Sequence, residues 1–467
     1  MAGRVVTIAL LLAVAAQAVP MLAGDAAAAA TTTRVEQRYV ISALLDVGSG
    51  QLDAVETLTL TNRARHGIDH VNLSVIPRAL GYLAMDEAVS VDGDPAETSW
   101  TTTTNLRVEL HERLAPDETV EITVPFSLSV GTSGGAFPAR LSRENGVISF
   151  GEWFPILSRE HDSYGVGDPQ VSFNAESIRL ELDTTTALPR DAVACPGLVI
   201  APATTGTRWE CEAEDVRDFS FVVNPGFALT RRTVGDMELR VYTQTVSGAV
   251  TADLAETALI GLSDMYGAYP WPDLVIAEIG SSGGFSMEYP RAIHLTRSTV
   301  TDTYNVYHEV AHQWFYAQIG NDQQLEPWID EGFADFSTRY LMGIGENQCS
   351  GRDVDSSVFA WEAGLIDGGD WTSCDGYFHS VFYKGTEFLT AVSAAMGEEQ
   401  FFAALREFID RNRFGVVSTR KLLDHLDNRT PADLRPIYQG YMAEYDAPVA
   451  TPRPKPRATG MGGIGPR

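Results

Sequence analysis

The hydrophobic positions of this chain change period partway along it. From Val35 to about Arg232, short apolar runs alternate with polar residues. Leu106-Arg107-Val108-Glu109-Leu110 and Val120-Glu121-Ile122-Thr123-Val124 alternate cleanly, and Tyr39–Asp46 and Val55–Leu60 do so in part. Period two, punctuated by Gly, Pro and Asp, is the mark of half-buried strands. Residues 35–232 are therefore expected to form an N-terminal β domain. Beyond it the pattern mixes. Met237–Thr245 reads as a strand, Ala252–Tyr266 has helical period, and Pro270, Trp271 and Pro272 end that helix. Leu274–Ile279 is an apolar strand, Gly280–Gly284 allows a tight bend, and Met287–Leu295 is expected to be an edge strand. Val306, Val310, Ala311, Trp314 and Phe315 then form the stripe of a buried helix. Further helices are expected over Glu387–Ala395, Glu398–Asn412 and Thr419–Leu426. Strands followed by helices in a separate run make 233–446 an α+β domain.

The two ends differ from this body. Arg4 precedes the apolar run Val5–Ala16, and Ala16-Gln17-Ala18 offers a small-x-small cleavage site, with another near Gly24-Asp25-Ala26. Residues 1–26 read as a signal peptide. The alternative is an uncleaved anchor, because the apolar stretch to Ala23 approaches spanning length. Once the leader is removed, no segment is apolar enough to cross a bilayer. The expected location is extracytoplasmic, either secreted or in the cell envelope. From Ala447 to Arg467, Pro and Gly dominate around Arg453, Lys455 and Arg457, so 447–467 is expected to be a disordered basic tail.

Secretion makes the four cysteines readable as two disulfides. The local pairing, Cys195 with Cys211 and Cys349 with Cys374, is one of three possibilities. Neither pair has metal-ligand spacing. With 34 basic and 62 acidic residues the net charge is −28, which disfavours nucleic acid as a partner. The sequence leaves the oligomeric state open.

The chemistry lies between Tyr307 and Phe336. His308-Glu309-Val310-Ala311-His312 sits on the expected helix. Residues four apart share a helix face with Cβ atoms about 5–6 Å apart, so His308 and His312 can grip one metal ion. This is the H-E-x-x-H arrangement of two zinc ligands and a general base, Glu309. A hydrolytic zinc site keeps three protein ligands and leaves the fourth position to water. Glu331, in Trp328-Ile329-Asp330-Glu331-Gly332-Phe333-Ala334-Asp335-Phe336, is the candidate third ligand. The expected cofactor is one zinc ion per chain, with Glu309 taking a proton from its water. Asp335, four residues after Glu331, is a candidate acceptor for a ligand histidine.

These residues resemble the aminopeptidase N family of gluzincin metallopeptidases. That family carries H-E-x-x-H on a helix and its third ligand in W-x-x-E-G-F-A, as here with Glu331 nineteen positions after His312. Gly283-Gly284-Phe285-Ser286-Met287-Glu288-Tyr289-Pro290 resembles the family's exopeptidase motif, and Val381-Phe382-Tyr383-Lys384-Gly385 its Y-x-K-G segment. The resemblance implies a saddle-shaped β domain before a thermolysin-like catalytic domain. It also implies an aminopeptidase acting on peptides, with Glu288 pairing with the substrate's amino terminus. Phe150–Pro155 is similar to a family turn that faces the cleft; Trp153 and Phe154 also read as plain core aromatics.

Two departures stand out. Phe285-Ser286 replaces a small Gly-Ala pair. The family's transition-state tyrosine, two before the lysine of Y-x-K-G, is Phe382 here, and Tyr383 stands one before it. A phenyl ring cannot donate a hydrogen bond to an oxyanion. Either Tyr383, the first choice, reaches in through a local helix shift, or another donor such as Tyr377 substitutes, or turnover is slow. The alternatives to an aminopeptidase are a thermolysin-like endopeptidase, an epoxide hydrolase activity that the broader resemblance includes but no residue here favours, and a catalytically weakened binding protein on the same scaffold.

Overall fold

A computed structural model describes residues 34–85, 88–131, 140–158, 173–283, 285–323, 326–345 and 379–441. The expected leader, the basic tail, Tyr377 and the Cys349/Cys374 pair lie outside these residues. The described chain belongs to one compact unit, Thr33–Asp446.

Alternation in the first half is realised as sheet. Val35–Asp46 pairs antiparallel with Gln51–Asn62 and parallel with Ala175–Pro189. Thr119–Ser129 extends the sheet on one side and Thr205–Val216 on the other. Among the described residues nine strands join it. Leu52, Ala54, Leu58 and Leu60 face inward, while Asp53 and Val55 face solvent. Two smaller sheets cover the inner face, one of them carrying Leu141–Glu144 and Val147–Phe150, the other Ile68–Ser74 and Asn105–Leu114. Trp153 and Phe154 are fully buried in the cluster between them, and the indole of Trp153 donates to Phe219 O at 2.9 Å. Cys195 and Cys211 form the expected disulfide, with Cα atoms 6.3 Å apart.

The second half is built on a four-stranded sheet ordered Ala228–Val234, Met237–Thr243, Asp273–Glu278, Ala292–Leu295. The expected boundary at residues 232/233 falls inside the first of these strands, which pairs along its length with Met237–Thr243. Its alternation is faint because it is an edge strand and buries little. Helix Gly248–Tyr266 makes the crossover to Asp273–Glu278, a parallel neighbour. The later helices Lys384–Met396, Glu398–Asn412 and Thr419–Asp427 match expectation within a few residues and share one core with the sheet.

One expected strand is a turn. Instead of a continuous Met287–Leu295, only Ala292–Leu295 joins the sheet, and Met287 doubles back to pair with His294. Pro290 has no N–H to give to a ladder. Arg291 adopts φ +61, and Ala292 N donates to Tyr289 O at 3.0 Å. A proline followed by a left-handed residue is the pattern of a type II turn. The turn is held because the Arg291 guanidinium forms a buried ion pair with Asp273. Its effect is to carry Glu288 on an outer segment beside the sheet edge.

Candidate active site

Helix Thr303–Ala311 starts at Asp302, whose carboxylate accepts from Asn305 N at 2.9 Å. It presents His308 and His312 side by side, their ring centroids 4.8 Å apart. The chain then turns through a 3-10 segment, Pro327–Ile329, into helix Glu331–Met342. Asp330 caps that helix by accepting from Glu331 N at 3.0 Å, and Asn321 Nδ2 holds Asp330 at 3.1 Å. Asp330 is fully buried. Burial, reinforced by the charge of Glu331, pushes its carboxyl up to about 7. These contacts place Glu331 in the first helical turn, where its carboxylate meets both histidines.

The donor atoms are tightly grouped. Glu331 Oε2 lies 3.0 Å from His308 Nε2 and 3.4 Å from His312 Nε2, and the two nitrogens are 3.2 Å apart. Ligands about 2.0–2.2 Å from a tetrahedral zinc ion are roughly 3.3 Å from one another. The three edges therefore fit one ion held by His308, His312 and Glu331. Protonation agrees for His312. Its Nδ1 faces Phe315 O at 3.2 Å. A carbonyl only accepts, so the proton is on Nδ1 and the Nε2 lone pair is available. Burial raises the Glu331 carboxyl, but His312 and His308 together outweigh it and hold the group well below the usual carboxylate range. Glu331 thus keeps the anionic form a metal needs.

Glu309 is buried beside this group, and its Oε2 has no hydrogen-bond partner among the described residues. Burial pushes its carboxyl well above the usual range, and the charge of Glu331 adds to this. Glu288 is buried as well. One oxygen each of Glu288 and Glu309 and a ring nitrogen of His312 lie within 4.8 Å of one another. Two carboxylates this close favour a shared proton or a cation between them.

Gln313 positions Glu288 and was not singled out from the sequence. Its Nε2 donates to Glu288 O and Tyr289 O, both at 3.2 Å, and its Oε1 accepts from Arg291 N at 2.8 Å. The signal was present: a polar residue interrupting the apolar run Val310-Ala311 and Trp314-Phe315, directly after His312. Tyr289 also closes on the β half. A Cβ added to Gly151 would meet the Tyr289 hydroxyl at 2.1 Å, so the turn before Trp153 abuts the segment that carries Glu288. Ser286 turns its hydroxyl to Thr299 Oγ1 at 2.7 Å, tying down the loop at the first departure from the family motif.

Asp335 has a role other than the expected one. It accepts from the Tyr304 hydroxyl, from Arg339 Nε at 2.8 Å and from Thr386 Oγ1 at 2.7 Å, so its lone pairs are not directed at a histidine. It reaches the site through Tyr304, whose ring stacks on His308 with centroids 6.0 Å apart.

The helix shift expected near Tyr383 exists as a π-helical turn, His379–Tyr383. It is nevertheless Phe382, not Tyr383, whose ring stacks on His308, with centroids 5.6 Å apart and planes 10° apart. The Tyr383 ring lies 5.8 Å from the Arg339 guanidinium carbon. The extra residue in the turn leaves the register of these two side chains unexchanged.

No protein-family model matches the chain. Aminopeptidase M1-B of Oryza sativa subsp. japonica is 22% identical over 245 residues, covering 46% of this chain and 28% of the rice protein. Aminopeptidase N of Lactobacillus helveticus is 25% identical over 159 residues, covering 30% of this chain and 18% of its own length. The matches therefore span less than a third of these relatives. Among solved structures, an M1 zinc metallopeptidase from Deinococcus radiodurans superposes with a TM-score of 0.62 at 19% identity, covering 87% of this chain and 93% of that one. Native yeast LTA4 hydrolase gives 0.64 at 15% identity, covering 90% and 69%. A mutant Deinococcus enzyme of the same kind holds a Tyr-Ser-Ala substrate. The fold is that of these proteins: a β-rich N-terminal part followed by a helical C-terminal part.

Proposed function

We propose that this chain, an aminopeptidase N-like gluzincin by fold and motif, is an extracytoplasmic zinc aminopeptidase that removes residues from the amino termini of peptides. The observation that carries the reading is the meeting of two groups at His312. His308, His312 and Glu331 offer three donors at 3.0–3.4 Å, and Glu288 and Glu309 join His312 within 4.8 Å. The first group fits a zinc ion and the second fits a cationic amino terminus.

Zinc held by this triad supplies a Lewis acid for a scissile carbonyl and lowers the pKa of water. The remaining work belongs to the protein. Glu309 borders the triad without joining it, which is where a group that takes a proton from water and passes it to a leaving amine must stand. Glu288, fixed through the backbone clamp of Gln313, pairs with the free α-ammonium group. That pairing sets the substrate's amino end at the blind side of the cleft and disfavours internal peptide. The disulfide Cys195–Cys211 and the leader-like 1–26 support a location outside the cytoplasm.

The test is cleavage of an aminoacyl-anilide panel against an internally quenched, N-blocked peptide, with metal removed by chelation and zinc restored. Anilide cleavage that is lost on chelation and returns with about one zinc per chain supports the reading. Preferential cleavage of the blocked peptide would assign an endopeptidase. Zinc binding without either activity would assign a binding protein on a peptidase scaffold, a reading that Phe382 allows.

A further inference from the structure

The two ligand histidines are held in different ways. His312 is latched through Nδ1 to Phe315 O at 3.2 Å. His308 has no such latch: its Nδ1 is buried without a hydrogen-bond partner among the described residues. Metal-binding histidines usually donate this second N–H to a carboxylate or carbonyl, which fixes the ring's rotation. Here two aromatic rings run nearly parallel to the imidazole. Phe382 is 5.6 Å away at 10°, and Tyr304 is 6.0 Å away at 12°.

Both rings are themselves fixed. The Tyr304 hydroxyl is bound to the fully buried Asp335, which Arg339 and Thr386 also hold. Phe382 sits in the π-helical turn His379–Tyr383, leading into a helix that packs closely on the one carrying Glu331. It is 9% exposed and belongs to the core of this half.

We infer that Phe382 is a positioning residue for the zinc ligand His308: with no hydrogen-bond partner for Nδ1 among the described residues, its ring sets the imidazole plane by stacking. This rests on the zinc reading above. It gives the phenylalanine a task that an aromatic ring performs and that an aliphatic side chain of similar size does not. Removing the ring frees the imidazole to rotate about its last torsion, so zinc binds more weakly even where the fold is intact.

The experiment is competition for zinc against a chromophoric chelator, using wild type, Phe382→Leu, Phe382→Ala and Phe382→Tyr. Urea unfolding of each metal-free protein runs alongside. Phe382→Leu keeps most of the apolar volume and serves where Phe382→Ala fails to fold. The expected result is a zinc dissociation constant raised roughly tenfold in Phe382→Leu and restored in Phe382→Tyr. Metal-free stability of the Leu variant should fall too little to account for the change. Wild-type affinity in the Leu variant overturns the inference while leaving the zinc site standing. So does equal weakening in the Leu and Tyr variants, because stacking would then not be the cause. Failure of wild type to bind zinc overturns the proposed function itself.

Discussion

Gly385 and Gly332 meet backbone to backbone: a Cβ on Gly385 would lie 2.7 Å from Gly332 Cα. Gly332 directly follows Glu331, and Gly385 follows the turn that carries Phe382. The contact therefore sets how closely the Phe382 ring approaches the metal residues. Gly385→Ala gains helix propensity of about 1 kcal/mol but forces the two helices apart. We expect a net loss of about 1–3 kcal/mol, read as a lower urea midpoint, with weaker zinc binding. An unchanged midpoint would show that the helices separate without cost.

Glu309→Gln keeps the shape of the buried side chain and removes its proton chemistry. Zinc content and thermal midpoint should stay at wild-type values while kcat falls by about 10²-fold or more. Most of the turnover surviving in a zinc-loaded variant would move the base elsewhere.

Glu288→Ala should separate two substrate classes. Anilides with a free amino terminus lose their partner carboxylate, so kcat/KM for them falls far more than for N-blocked peptides. Equal losses on both classes would mean that Glu288 serves the fold, not the amino terminus.

Phe382 and Tyr383 give opposite outcomes according to which one faces the reacting carbonyl. With Phe382 stacked on His308, Phe382→Tyr should raise kcat by as much as ~10²-fold by restoring a hydroxyl donor. Tyr383→Phe should then change little. A ~10²-fold loss of kcat in Tyr383→Phe, with KM unmoved, would instead make Tyr383 the donor.

Glu56 lies on the inner face of the large sheet, fully buried, with both oxygens unpartnered among the described residues. Burial raises its pKa well above the ordinary 4.5. Below that ordinary value the carboxyl is protonated in both folded and unfolded chains, and no penalty arises. Above it the unfolded chain ionises first, so this group lowers stability as pH rises toward its folded pKa. Glu56→Leu should remove a slope of up to about 1.4 kcal/mol per pH unit. Urea midpoints at pH 4 and pH 8 test it: the variant's advantage must be larger at pH 8. An equal advantage at both would place the carboxylate's charge in contact with water.

The sequence by itself determined the order of the two parts and the sharing of one helix face by His308 and His312, with Glu309 beside them. Period-two runs pack one face into a core whatever surrounds them, and positions four apart on a helix share a face by geometry alone. That is why His308, Glu309 and His312 were legible before any fold. Tertiary structure decided what distant segments do to one another. It turned Met287–Leu295 into a hairpin, because the buried partner of Arg291, Asp273, is eighteen residues upstream. It gave Asp335 to Tyr304, Arg339 and Thr386, and it gave Gln313 a backbone to clamp. It set Phe382, rather than Tyr383, against His308, through a π-helical turn and a glycine contact that no periodicity announces. Local periodicity records which face is buried; which side chain meets a ligand across two helices depends on the distance between them, and that distance is set by packing.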